Sequence, residues 1–199
     1  IPLVGLQTYL PGSTTIDADD RFGTRTLVEY LISLGHRRIA YLTDETSTYV
    51  LNERMRGYQD ALAEHGIDFD PSLVYRFNEK HNSFETTLDI LNCPNPPTAI
   101  HCQNDHEALS AYIAITSKGL RIPEQISLSG YDNLPNSRLV QPPLTTVEQP
   151  LQRMGMAAVE LLDDLIRNPS VHPTPRQIVY STQLIVRGST AAPLQSDKT

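Results

Sequence analysis

Apolar residues along this chain follow two alternating rhythms. Phe22, Leu27, Tyr30, Leu31 and Leu34 recur at helical intervals, the stripe of an amphipathic helix. Asp19 precedes the stripe as an N-cap, Asp20 adds charge in the first turn, and Gly35 follows where a positive φ is needed. Ile39-Ala40-Tyr41-Leu42 is then apolar throughout, as a parallel strand covered on both faces should be. The two rhythms repeat. A polar loop over 43–49 leads to a helix over 52–65, with Met55, Tyr58, Ala61 and Leu62 buried and Gly66 at its end. A strand is predicted over 73–77 and a short helix over 84–91 capped by Ser83. The prolines at 94, 96 and 97 exclude helix there. A strand over 98–102, a helix over 107–118 closed by Gly119, and a strand over 126–129 complete the series.

Strict alternation of this kind specifies an α/β fold with a doubly wound parallel sheet. Ligands of such sheets sit outside the carboxyl ends of the strands. Arg54, Asn104, Asp105 and Asp132 all follow strands, so they should gather at one edge. Asp132 is the leading candidate, because its strand runs into Gly130 and presents the carboxylate at once; capping of the turn is the alternative role. Outside this series the rhythm is lost. Residues 2–6 read as a short strand and 14–17 as a loop. Residues 142–147 form an extended proline-led connector, 151–166 an amphipathic helix, 178–180 and 183–186 late strands, and 191–199 a disordered tail.

Charge and composition narrow the function. The net charge of -7 and pI near 5.3 give no basic footprint for direct nucleic-acid binding. No apolar run is long enough to span a bilayer, and the start of the chain has no basic signal-peptide region. Cys93 and Cys102 match no metal motif and suit a reducing cytoplasm. The histidines, at 36, 65, 81, 101, 106 and 172, are scattered, and His36 reads as structural. No phosphate loop, nucleophile elbow or metal set is present, so neither catalysis nor a cofactor is expected.

Several segments in unbroken order carry a resemblance. They are Asp19…Gly23 with Tyr30 to Ala40, Arg54-Met55-Arg56-Gly57-Tyr58, Pro97 to Ile100 with Asn104-Asp105, Gly119 to Pro123, Ile126 to Asp132, Pro142 to Val147, and Leu184 to Thr190. Together they resemble the effector-binding region of LacI/GalR-family transcriptional regulators. The resemblance implies a type I periplasmic-binding-protein-like fold of two lobes joined by three connections. It also implies a cytoplasmic location and contact with operator DNA only through an N-terminal helix-turn-helix domain, for which this sequence has no candidate. The C-terminal lobe is expected to be complete over 19–147. Residues 1–18 are expected to be a remnant of the N-terminal lobe, 148–177 the helix returning to it, and 178–190 final strands mainly of the C-terminal lobe. The chain therefore reads as truncated at its N-terminus.

The resemblance also assigns roles. Arg54, Asn104 and Asp132 are implied to hold a small-molecule effector, most naturally a sugar or sugar derivative, with Leu151 lining the pocket and Phe77 or Asn78 near a stacking position. Gln7 is a substitute for an acidic contact from the other lobe. A homodimer is implied, with Ala108, Tyr112, Ile115 and Arg138 on its surfaces. Arg54→Ala is expected to abolish the effector response while leaving the lobe folded. The alternatives are a periplasmic sugar-binding protein of a transport system and an enzyme on a doubly wound sheet.

Overall fold

Glycines at positive φ close three of the helices, Gly35 at 103°, Gly66 at 63° and Gly119 at 73°, and each returns the chain to a sheet. The computed structural model describes residues 2–168 and 174–194. Its strands and helices run β1 (Val4–Leu6), β2 (Thr14–Ala18), α1 (Asp20–Ser33), β3 (Ile39–Asp44), α2 (Tyr49–Glu64), β4 (Val74–Phe77) and α3 (Ser83–Asn92). They continue with β5 (Ala99–Cys102), α4 (Asp105–Ser117), β6 (Ser127–Ser129), β7 (Thr146–Glu148), α5 (Leu151–Arg167), β8 (Gln177–Tyr180) and β9 (Gln183–Ile185). Side chains start the helices as capping chemistry requires. Asp19 accepts from the Phe22 N–H, Thr48 from that of Leu51, and Asn104 from that of Glu107. Asn82, not Ser83, caps α3, in a reciprocal capping box with Glu85.

The main sheet has the order β4-β3-β5-β6, all parallel. Alternate residues of each strand serve opposite faces. Ile39, Tyr41 and Ala99 pack under α1 and α2 with Leu27, Leu31 and Tyr58. Ala40, Leu42, Ile100 and Leu128 pack under α3 and α4 with Ile90 and Ile115. The doubly wound parallel sheet is thus covered on both faces. Beyond β6, a Ser129–Thr145 bridge leads into β7, which pairs antiparallel with β9.

A second parallel sheet has the order β1-β2-β8 and carries α5. It corrects two expectations. Residues 14–17 are not a loop; they form most of β2, the central strand. β8 does not join the C-terminal lobe either, since it pairs with β2, and only β9 belongs with the main-sheet side. The chain crosses between the sheets after Ala18, after Glu148 and between Tyr180 and Gln183.

The C-terminal segment is anchored before it leaves the described residues. Ala191 N–H donates to Ser127 Oγ at 3.0 Å, and Ala191 O lies 2.9 Å from His36 Nε2. His36 is buried, which lowers its pKa, and Thr98 Oγ1 lies 2.8 Å from its Nδ1; its role is to tie strand ends together. The expected disordered tail therefore does not begin at Ala191, and its last five residues, like His172, lie outside the described residues.

Candidate functional site

The turn after β6 is pinned from several sides. Gly130 lies where any Cβ would collide with Asp105 Oδ1, so only glycine lets the start of α4 approach this closely. Asp105 then holds both flanks: Oδ2 accepts from the Leu134 N–H at 2.7 Å, and Oδ1 accepts from Thr146 Oγ1 at 2.6 Å. Asp132 N–H donates to Val147 O at 2.7 Å. Asn133 donates to Glu148 Oε1 at 2.9 Å and accepts from Arg187. Asp132 and Asn133 both adopt positive φ, 106° and 54°, a costly state for residues with a Cβ. The surrounding bonds enforce that conformation, and it aims the Asp132 carboxylate at the crossover segments.

Arg54 reaches the same carboxylate from α2. Gly57 permits this, because a Cβ there would strike the Arg21 carbonyl oxygen of α1 and force the two helices apart. With α1 and α2 in close contact, Arg54 Nε donates to Asp20 Oδ1 at 2.7 Å, Nη1 to Gln103 O, and Nη2 to Asp132 Oδ1 at 3.4 Å. The guanidinium carbon lies 3.7 Å from the Tyr131 ring centroid. Arg54 is only 5% exposed, so its donors are committed within the protein.

From Asp132 the polar chain continues into the smaller sheet. Gln149 Nε2 donates to Asp132 Oδ1 at 2.6 Å, and Gln7 Nε2 donates to Gln149 Oε1. Gln7, also at positive φ, accepts from the Ala18 N–H at 3.4 Å. Asp20, Arg54, Asp132, Gln149 and Gln7 thus connect the two sheets where the chain crosses between them. Beside Asp132 opens a cleft of about 780 Å³, lined also by Leu134, Glu148, Leu151, Arg153, Ser181 and Gln183.

Burial sets the electrostatics. It raises the pKa of Asp20 and of Asp132 despite the opposing pull of Arg54. It pushes Asp105 up to about 6. Burial lowers the pKa of Arg54, but Asp20, Tyr131 and Asp132 outweigh it, so the guanidinium is held charged. His101, buried near Arg54, falls to about 3 and stays neutral. Among the described residues no group of three His, Cys, Asp or Glu side chains converges to hold a metal.

The site residues expected from sequence divide sharply. Arg54 and Asp132 come together, and Leu151 lines the cleft half-exposed. Asn104 sits at the same sheet edge, but its side-chain oxygen accepts from the Glu107 N–H at 2.9 Å as the cap of α4. Phe77 is buried in the core beneath α3 and α4, because its position on β4 faces that side, so it offers no platform at the cleft. Asn78 closes a turn by accepting from the Lys80 and His81 N–H groups and donates to Glu45 Oε2; it lines a separate depression with Asp44, Glu45 and Lys80. Of the expected dimer residues, Ala108 and Ile115 are fully buried against the sheet and cannot present a surface. Tyr112 packs on that core and donates to Gln141 O at 2.5 Å, while Arg138 is exposed. Sequence reasoning missed Gln149, Glu148 and the pairing role of Asp20. Asp20 read as a first-turn charge, and nothing in the local pattern marks Gln149 beyond its place before Pro150.

Comparison with known proteins places this geometry among relatives. The profile of the periplasmic binding protein-like domain matches residues 28–190. The chain is 33% identical over 192 residues to the probable HTH-type transcriptional repressor ExuR of Bacillus subtilis, covering 95% of this chain and 57% of that protein. It is 40% identical over 159 residues to the HTH-type transcriptional repressor PurR of Pasteurella multocida, covering 79% and 48%. A crystal structure of a LacI family transcriptional regulator from Enterococcus faecium with bound ribose superposes with a TM-score of 0.86 at 28% identity, covering 96% of this chain and 71% of that one. The chain spans about half the length of the curated relatives it matches.

Proposed function

From the premise that this chain belongs to the periplasmic binding protein-like family, as a LacI-family effector-binding domain, we propose that it is the sensing part of a sugar-responsive transcriptional repressor. The observation that carries the reading is the Asp132 carboxylate, held in a strained turn and aimed into a cleft at the crossovers between two sheets. A carboxylate accepts two hydroxyl protons, and its fixed orientation selects ligand geometry without any reaction.

Asp132 and Gln149 are the groups that meet effector hydroxyls, and Leu151 supplies apolar contact at the cleft wall. Arg54 orients Asp132 from behind. An effector that bridges the two sheets favours one relative orientation by differential affinity. Operator binding through an upstream helix-turn-helix domain, in a cytoplasmic homodimer, would then be coupled to it reciprocally. The relatives are repressors, which favours this reading over a transport protein.

Thermal-shift measurement with a panel of mono- and disaccharides tests the proposal. A sugar-dependent rise in melting temperature is expected in the wild type and is lost in Asp132→Asn. That variant keeps its fold, because burial already disfavours the Asp132 charge. A full response in Asp132→Asn would remove this residue from the site.

A further inference from the structure

We propose that Asp20 makes this cleft selective for uncharged, hydroxyl-bearing effectors over sugar acids and sugar phosphates, by occupying the arginine that would otherwise receive an anion. The inference rests on the sugar-sensing reading and adds the charge class of the ligand.

A guanidinium recognises a carboxylate or phosphate by presenting two parallel N–H groups along one edge of its fork. Arg54 has no such edge left intact. Nε donates to Asp20 at 2.7 Å, Nη1 to the Gln103 carbonyl, and Nη2 faces Asp132 at 3.4 Å. Its face is closed by the Tyr131 ring at 3.7 Å. Two carboxylates therefore share one cation in a buried cluster, where Asp20 is 2% exposed and Arg54 5%. The excess charge is negative and lies at the carboxylate that faces the cleft. Glu148 lines the same cleft and adds to it. The cation on the cleft wall, Arg153, is exposed, with its guanidinium 5.5 Å from the Tyr180 ring centroid, where solvent screens it. An anionic ligand would enter a negative field and find the buried arginine already satisfied. A neutral polyol meets acceptors at Asp132 and a side-chain amide at Gln149, which suit its hydroxyls.

Asp20 is a positioning residue: it acts on the ligand through Arg54. In Asp20→Asn the amide oxygen can still accept from Arg54 Nε, while one negative charge is removed from the cluster. The structure is kept and the net charge of the cluster falls from -1 to zero.

Isothermal calorimetry at pH 7.5 on the wild type and Asp20→Asn would compare glucose with glucuronate, galactose with galacturonate, and ribose with ribose 5-phosphate. The wild type is expected to bind at least one neutral sugar and to bind its acidic counterpart at least roughly tenfold more weakly, a difference of about 1.4 kcal/mol. Asp20→Asn is expected to narrow that ratio. An acid bound as tightly as its neutral counterpart by the wild type overturns the inference and leaves the sugar-sensing reading standing. A wild-type preference for neutral sugars with an unchanged ratio in Asp20→Asn overturns the role of Asp20. Absence of binding by any member of either series overturns both. The wild-type pairs are decisive even if the variant folds poorly.

Discussion

Among the described residues, the two sheets are covered to different extents. The main sheet is sandwiched: α1 and α2 close one face over Leu27, Tyr41 and Tyr58, and α3 and α4 close the other over Ile100, Ile115 and Leu128. The smaller sheet has Ile16, Ala18 and Met154 as its buried apolar cluster, against a single helix. α5 leaves Met156, Val159 and Ile166 exposed. The difference teaches which groups of the site are held by packing within the described residues. Arg54 and Asp132 are held by the sandwiched sheet, whereas Gln7 and Gln149 reach them from crossover and small-sheet segments. One side of the site is thus held within a sheet covered on both faces, and the other comes from the less covered sheet.

The sharpest way to break that asymmetry is Arg54→Ala. Sequence alone predicts a folded lobe that has lost its response. The structure changes the expectation, because the substitution leaves Asp20 buried and unpaired. Breaking a buried ion pair from one side costs about 3–5 kcal/mol. Chemical denaturation is expected to show that loss, and Asp20→Asn added to Arg54→Ala is expected to recover part of it. A single variant as stable as the wild type would mean that Arg54 belongs to the ligand rather than to the fold.

A paired truncation compares the sheets directly. Ile100 and Ile16 are both fully buried. Ile100→Ala opens a cavity between two covered layers and is expected to cost about 2–5 kcal/mol. Ile16→Ala is expected to fall at or below the lower end of that range, because its half-exposed neighbours Val4 and Ile178 can close in. Hydrogen exchange read at β5 and β2 separates the two effects. Equal losses would deny the difference in packing.

The same contrast explains what the sequence disclosed. The main sheet was legible because short strands, apolar throughout at 39–42, alternate with striped helices. β2 was not legible, since Thr14-Thr15-Ile16-Asp17-Ala18 is mostly polar yet entirely buried. Its polarity is satisfied internally: Asp17 accepts from Thr15 Oγ1 at 2.9 Å, the Thr8 N–H at 3.1 Å and Gln177 Nε2 at 2.9 Å. Such a network is invisible to a hydrophobic pattern. Residues 178–190 were read as mainly of the C-terminal lobe, which β9 joins and β8 does not, because strand partnership is non-local and leaves no mark on the strand itself. Ala108 and Ile115 lie at helical spacing, which identifies a face of α4 but not whether that face meets the sheet or a second molecule. At the site, Asp132 announced itself through the strand–glycine–carboxylate order. Gln149 depends on a contact 17 residues from Asp132 in sequence, and no local rule reports that.

Acid titration gives a smaller effect confined to the main-sheet side. Asp105 has a folded pKa of about 6, raised by burial above the usual ~3.9 of an aspartate. The folded protein therefore binds this proton more readily than the unfolded chain does. Its ionised form is a cost at pH 7, on the order of 3 kcal/mol, and the cost is relieved as pH falls through about 6 toward 4. Asp105 is expected to raise stability over that interval, as are Asp20 and Asp132, whereas the buried His101 and His36, whose pKa values burial lowers, act in the opposite sense as the unfolded chain takes up their protons. Melting temperature against pH measures the sum. Relative to the wild type, Asp105→Asn is expected to lose the Asp105 share, so that its stability falls more steeply toward pH 4, and an unchanged slope would assign that share to other groups.

The smallest effect tests a place where the two regions touch away from the crossovers. Tyr49, at the start of α2, accepts a hydrogen bond from Gln177 Nε2 of β8 at 2.7 Å, and its ring stacks on Tyr9 with centroids 6.3 Å apart. Tyr49→Phe removes the hydroxyl and keeps the ring. Because the bond is exposed and water can replace it, the expected loss of stability is no more than about 0.5–1 kcal/mol. A double-mutant cycle with Gln177→Ala isolates the bond from the stacking. Its coupling energy reports how far the smaller sheet is tied to α2: a value near zero leaves this contact without mechanical weight, whereas a value near 1 kcal/mol makes α2, which also carries Arg54, a point of contact through which lobe orientation and site geometry are joined.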